Sequence, residues 1–122
     1  MNSNRNKCKN KNNSDSNVGG FLPENITITN DTQYEAVDIF LEADDEGLYR
    51  FPNVEPQLTI VNTYCDGILI SKVSAKLRVR QPNGSYRLIS ALAYENYDLC
   101  SNFPDSFIIQ EISTGYFAIL ED

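Results

Sequence analysis

From residue 21 onward, apolar positions recur every second residue, the pattern of strands with one buried face. Val73, Ala75, Leu77 and Val79 alternate with Ser74, Lys76, Arg78 and Arg80, the clearest case in the chain. A shorter run, Ile26-Thr27-Ile28-Thr29, opens after Pro23 and closes at Asn30-Asp31. Leu58, Ile60 and Asn62 alternate with Thr59, Val61 and Thr63, and Pro52 and Pro56 bracket a loop before them. Ile108–Ile112 and Tyr116–Leu120 predict a closing hairpin across Ser113-Thr114-Gly115. Cys65-Asp66-Gly67 reads as a turn, Ile68-Leu69-Ile70 resumes the sheet, Leu88–Tyr94 continues it, and Asn102–Asp105 reads as a loop around Pro104.

Two stretches carry conflicting signals. Thr32 and Glu35 fit a capping box, and Tyr34, Val37 and Leu41 stand at helical spacing. Val37, Ile39 and Leu41 also alternate as a strand would, and Asp44-Asp45-Glu46-Gly47 then turns into Leu48–Phe51. We favour strand–turn–strand, because it continues the pattern on both sides. The second conflict is register at Gln81-Pro82-Asn83-Gly84, a hairpin turn with proline fixing φ and glycine free to go left-handed. A bulged turn sets Val79 opposite Arg87. A two-residue turn sets Val79 opposite Leu88, but opposes Arg80 to Arg87.

Seven to nine short strands with regular turn signals predict an all-β fold, a single β-sandwich or jelly-roll-like domain over residues 21–122. Residues 1–20 are different. Seven of the first seventeen residues are Asn and three are Ser, with Met1 and Val18 the only aliphatic residues before Phe21. Such a segment buries too little apolar surface to offset its ordering entropy, so it is expected to be a disordered, flexible Asn/Lys-rich connector. Gly19-Gly20 adds a hinge before the domain.

Charge follows the same boundary. The leader carries Arg5, Lys7, Lys9 and Lys11 against Asp15, a net +3, while the body carries six basic and sixteen acidic residues, a net −10. An acidic body repels phosphates, and four leader cations without interleaved aromatics make a weak nucleic-acid site, so no nucleic-acid partner is expected. A simpler partner for a +3 leader is a −10 surface of the same protein. No run approaches the ~18 apolar residues of a membrane span, so no membrane partner is expected either. The basic start lacks the apolar stretch of a Sec signal peptide, so the expected site of synthesis is the cytoplasm, with release by lysis as the route outward.

Chemistry-bearing motifs are sparse. The chain has no histidine, which removes the usual general base and any Ser-His or Cys-His pair. Cys8, Cys65 and Cys100 lack metal-ligand spacing, and there is no glycine-rich phosphate loop. We therefore expect no catalytic residues, no metal and no cofactor, and read the protein as not an enzyme. Asp44, Asp45 and Glu46 read as a solvated turn rather than a Ca²⁺ loop. Asn25-Ile-Thr, Asn30-Asp-Thr and Asn83-Gly-Ser fit the glycosylation pattern but read as strand and turn composition. Lys76, Arg78, Arg80 and Arg87 would make a basic stripe on the central hairpin. Its plain role is a wet sheet face that blocks edge pairing. Its other role is docking an acidic neighbour, such as the Asp44–Glu46 turn of a second copy.

Cys8 sits between Lys7 and Lys9, which favour its thiolate, and an odd cysteine count points to a free thiol or an intermolecular bond. Three reduced thiols are one reading; Cys8 of one copy joined to Cys65 or Cys100 of the next is the other. A head-to-tail contact of that kind gives a fibre if open and a ring if closed.

In layout the chain resembles the subunits of bacterial endospore appendages, which carry a short Asn-rich, cysteine-containing connector ahead of one jelly-roll domain. The likeness is carried by NRNKCKNKNN in the leader and by the succession ITITN, AVDIFLEADDEGLYRFP and PQLTIVN. That family's leader has a double cysteine plus a third; this one has Cys8 alone. The resemblance implies a connector that reaches a neighbouring subunit and forms disulfides there, with Cys8 as donor and Cys100 or Cys65 as acceptor. It also implies partners among copies of itself and other spore-surface proteins, on a spore surface after mother-cell lysis.

The leading expectation is a non-enzymatic structural subunit that self-assembles into a fibre or ring through its N-terminal arm. The alternative is a soluble acidic binding module, of inhibitor or immunity type, for a basic protein partner. A carbohydrate-binding or hydrolytic β-domain is the third reading, on the strength of seven tyrosines and the many carboxylates.

Overall fold

A computed structural model of the chain describes residues 24–43, 47–64, 69–97 and 104–122. The expected leader, the Asp44–Glu46 and Cys65–Gly67 turns and the start of the loop at Asn102 lie outside them. Nine strands form within the described residues: β1 (Glu24–Asp31), β2 (Glu35–Ala43), β3 (Leu48–Phe51), β4 (Thr59–Tyr64), β5 (Ile70–Arg80), β6 (Tyr86–Ser90), β7 (Tyr94–Glu95), β8 (Ser106–Ser113) and β9 (Tyr116–Glu121).

They form two sheets packed face to face. The first runs β4-β1-β8-β9, and the second runs β3-β2-β5-β6 with β7 also paired to β5. The body is the expected β-sandwich. Three antiparallel hairpins, β2–β3, β5–β6 and β8–β9, each stay within one sheet, and β1 lies parallel to β8. That parallel pair sets the connectivity apart from an all-antiparallel jelly roll. Between the sheets sit Ile26, Ile28, Phe107, Ile109 and Ile119 from the first, and Ile39, Leu41, Phe51, Val73 and Leu77 from the second. Each large side chain fully buried there contributes about 1.5–3 kcal/mol.

The ambiguous stretch after Asp31 is a strand. Thr32 caps a turn instead of a helix: its hydroxyl accepts from the Tyr34 amide at 3.1 Å and donates to Asn30 Oδ1 at 2.7 Å. Glu35 pairs across the sheet with Arg78 rather than reaching back to Thr32. The expected alternation of Val37, Ile39 and Leu41 does not hold throughout. Asp38 takes φ 49°, and Asp38 and Ile39 together oppose a single residue of β5. This bulge puts Val37 on the outer face with Lys76, whereas Ile39 and Leu41 point inward. Aspartate tolerates the left-handed region better than most residues.

The β5–β6 turn resolves the register conflict. The Gly84 amide bonds the Gln81 carbonyl at 2.9 Å, and the Gln81 amide bonds the Ser85 carbonyl at 2.7 Å. Gly84 sits at φ 91°, and Val79 faces Arg87, as the bulged turn requires. Nothing lies within 4 Å of where a Cβ on Gly84 would be, so only the backbone conformation demands glycine. Gly84→Ala is expected to cost about 1 kcal/mol, read as a lower urea midpoint with an unchanged slope.

One buried polar knot ties the sheets at the β1–β2 crossing. Asn30 is fully buried, so the Asn30-Asp-Thr pattern is no glycan acceptor in this fold. Its amide nitrogen donates to the carbonyls of Tyr34 (2.7 Å) and Val54 (2.9 Å). Its amide oxygen accepts from the Thr32 amide at 3.1 Å and the Thr32 hydroxyl. Gln57, held at φ 64°, donates its backbone amide to the Asn30 carbonyl and its side chain to the Thr32 carbonyl, both at 2.8 Å. These bonds pin the loop between Pro52 and Leu58 beneath the sandwich and aim the chain into β4.

Candidate interaction surfaces

Of the residues singled out from the sequence, Cys8, Cys65, Cys100, Asp44, Asp45 and Glu46 lie outside the described residues. Lys76, Arg78 and Arg80 alternate along the outer face of β5 as expected. Arg87 does not join them. Its register partner is Val79, which shares the inward face with Leu77, so Arg87 stands on the opposite side of the hairpin. The four-residue basic stripe is therefore three residues, and the bulged turn is the reason.

The outer face of the second sheet is charged, and all its cations but Arg80 are matched internally among the described residues. Arg78 lies 3.5 Å from Glu35 and stacks over the Tyr86 ring at 4.2 Å. Asp38, turned outward by the bulge, receives Arg50 at 3.6 Å and Lys76 at 4.0 Å. Lys72 lies 3.9 Å from both Glu42 and Glu95. These pairs are exposed or partly exposed, so each contributes about 0–1 kcal/mol. Lys76 and Arg78, read from the sequence as dockers of an acidic neighbour, already have acidic neighbours in their own chain. Arg80 has no carboxylate within 4 Å among the described residues.

The outer face of the first sheet has the opposite character. Because Ile26, Ile28 and Asn30 are buried, Asn25, Thr27, Thr29 and Asp31 face out from β1. Pairing sets Thr63, Val61 and Thr59 of β4 beside the first three, and Ser106, Ile108 and Gln110 of β8 beside the last three. Ile108 in turn faces Leu120 of β9. Within these rows Asp31 is the one charged residue. Thr29 and Thr59 share a hydroxyl hydrogen bond at 2.9 Å, and Thr63 donates to Asn25 at 2.7 Å.

This sparsely charged face ends at β4, whose outer edge no other strand pairs among the described residues. β4 reads TIVNTY, with no charge, no proline and three β-branched residues in a row at its start. Val61 is 58% exposed. The devices that normally blunt a sheet edge, such as lysine or proline on it or a bulge within it, are missing. The other edges are better guarded. β3 has four residues including Arg50 and runs into Pro52; β6 carries Arg87; the middle of β9 is covered by Leu92, which bonds Phe117 and Ile119 at 2.8 and 2.9 Å. At the end of β4, Tyr64 donates to the Arg50 carbonyl at 2.9 Å and meets Tyr49 edge to face, closing the seam between sheets. Burial pushes the Tyr64 hydroxyl above its ordinary pKa, opposed by a hydrogen bond with the Asn62 side chain.

Sequence reasoning missed both the bare edge and the sparsely charged face. The uncharged run TIVNTY was a visible signal, but its edge position follows only from the strand order. Among the described residues no three acidic, cysteine or histidine side chains gather as a metal-ligand set. No helix there is long and apolar enough to cross a membrane. Compared with protein-family models, curated proteins and solved structures, the chain matches none.

Proposed function

We propose that the chain is a non-enzymatic structural subunit that assembles with copies of itself into a fibre or ring. The observation that carries this reading is the β4 edge: a six-residue, uncharged strand margin, unpaired among the described residues and continuous with a sheet face whose rows carry one charge, Asp31. Such an edge is a template for a strand from another molecule. For bodies of net charge −10, this sparsely charged face is also where two copies approach with least repulsion. The +3 leader acts as the arm that holds the neighbour. Attraction to the acidic body acts within about 8–10 Å at ordinary salt. Cys8 then bonds Cys65 or Cys100 of that neighbour, the two thiols yielding two electrons and two protons to molecular oxygen. The layout shared with endospore appendage subunits supports a spore surface as the setting.

Electrophoresis without reductant tests the covalent part. The full chain gives a ladder of multimers that collapses with dithiothreitol, and Cys8→Ser abolishes the ladder. A ladder unchanged in Cys8→Ser contradicts the role given to that thiol.

A further inference from the structure

The geometry points to a binding site for a small amphipathic carboxylate, an apolar chain or ring bearing one carboxylate, at the end of the sandwich beside the β8–β9 turn. A cavity of about 710 Å³ opens there, lined among others by Arg87, Ile89, Leu92, Ile112, Tyr116 and Phe117. Its volume lies in the range of small-molecule sites, roughly 300–1,000 Å³. Its walls are mainly apolar, and three of them are unusually bare for large side chains: Leu92 and Tyr116 are 69% exposed and Ile112 is 56% exposed. One side is fixed by the excursion of the chain after β6, where Leu92 leaves the second sheet and hydrogen-bonds β9 of the first.

The polar handle is Arg87. The bulged β5–β6 turn puts it on the inward face of β6, in the same series as Ile89 and Ala91, where the hydrophobic core runs out. It is the residue the sequence had assigned to the outer stripe. Four of the six cations of the body, Arg50, Lys72, Lys76 and Arg78, have a carboxylate within 4 Å. Arg87 has none among the described residues, in a body with sixteen acidic residues. The hairpin carboxylate Glu111 accepts the Gly115 amide at 2.9 Å and makes no ion pair with Arg87. A guanidinium left without an acid beside an apolar cavity offers two parallel donors to a planar carboxylate. A single cation among apolar walls fits a monoanion better than a phosphate dianion.

Calorimetric titration of the full chain tests the site with decanoate and 4-phenylbutyrate, each below its micelle concentration. The controls are 1-decanol and decyltrimethylammonium. Decanoate is expected to bind at least tenfold more tightly than either control, and 4-phenylbutyrate measurably. Arg87→Gln removes the preference for decanoate over decanol; Arg87→Lys keeps part of it; Leu92→Ser weakens decanoate and decanol alike. Both positions are exposed, and a circular dichroism spectrum checks that each of the three variants folds. Absence of binding by both acids, equal binding of all amphiphiles, or an unchanged decanoate affinity in Arg87→Gln overturns the assignment. Arg87 is on neither the leader nor β4, so these outcomes stand apart from those of the assembly tests.

Discussion

Asn30→Leu is expected to lower the unfolding free energy by about 3 kcal/mol, a drop of roughly 10–20 °C in Tm for a domain of this size. Leucine keeps the branched outline, but its methyls need more room than the amide N and O that sit 2.7–3.1 Å from their partners, so overpacking adds to the lost hydrogen bonds. Asn30 makes four contacts with two donors and one acceptor oxygen, all in a site closed to water. Leucine removes every one. The Val54 carbonyl keeps the Ala36 amide at 2.9 Å, and the Tyr34 carbonyl keeps the Thr32 hydroxyl at 3.0 Å. The Thr32 amide keeps nothing, and an orphaned buried N–H is the costly part. Asn30→Asp separates this account from a simple loss of shape. The new carboxylate faces two carbonyl oxygens where an NH₂ had been, so its folded pKa rises above the unfolded one. Its stability is then fully present only below the unfolded carboxyl range and falls as pH rises through the folded value. Asn30→Asp should be less stable than Asn30→Leu at neutral pH and regain ground on acidification. Urea unfolding at several pH values reads both.

Val61→Lys is expected to reduce self-association by tenfold or more while leaving the fold intact. Val61 stands mid-strand on the bare β4 edge, exposed, opposite Thr27. A lysine there costs within about 0.5 kcal/mol in the isolated domain, as an exposed substitution. Between two paired copies it would have to be desolvated, or would face its own symmetry mate. Tenfold in association is ~1.4 kcal/mol, a modest demand on one desolvated ammonium. Sedimentation velocity reads the association and urea unfolding the stability. Full-sized assemblies from Val61→Lys would show that the β4 edge is not where copies meet.

What the sequence revealed and what it concealed divide along a physical line. Alternation over Val73–Val79 and Ile26–Thr29 reports which residues share a face, so strand positions and the inward set could be read directly. The Pro82-Asn83-Gly84 turn is local chemistry, and it appeared where expected. Strand partners are not local. β1 pairs with β8, whose residues lie some eighty positions later, and no pattern within either strand announces it. The Asp38 bulge was concealed because Val37, Ile39 and Leu41 look like unbroken alternation. Arg87 was misplaced for a related reason: its face depends on a one-residue difference in the turn, which the charges alone could not decide. Asn30 read as turn composition because its burial comes from a loop twenty-odd residues away.

The same divide holds for interaction. The leader's composition and charge, and the isolated position of Cys8, are legible from residues 1–20 alone. The sparse charge of one sheet face and ion-pairing of the other emerge only when Glu35, Asp38 and Glu42 are brought alongside Arg78, Lys76 and Lys72. Lys76 and Arg78 of the basic hairpin already have acidic neighbours within the chain, whereas the edge beside Thr59–Tyr64 is bare among the described residues.

Negative-stain electron microscopy of the full chain, purified without reductant and concentrated, bears most directly on assembly. The account predicts fibres or closed rings built from a repeating unit of one β-domain, shortened or lost in Val61→Lys and in a chain lacking residues 1–20. Uniform single particles at every concentration, from unmodified protein with its thiols free to oxidise, would contradict it.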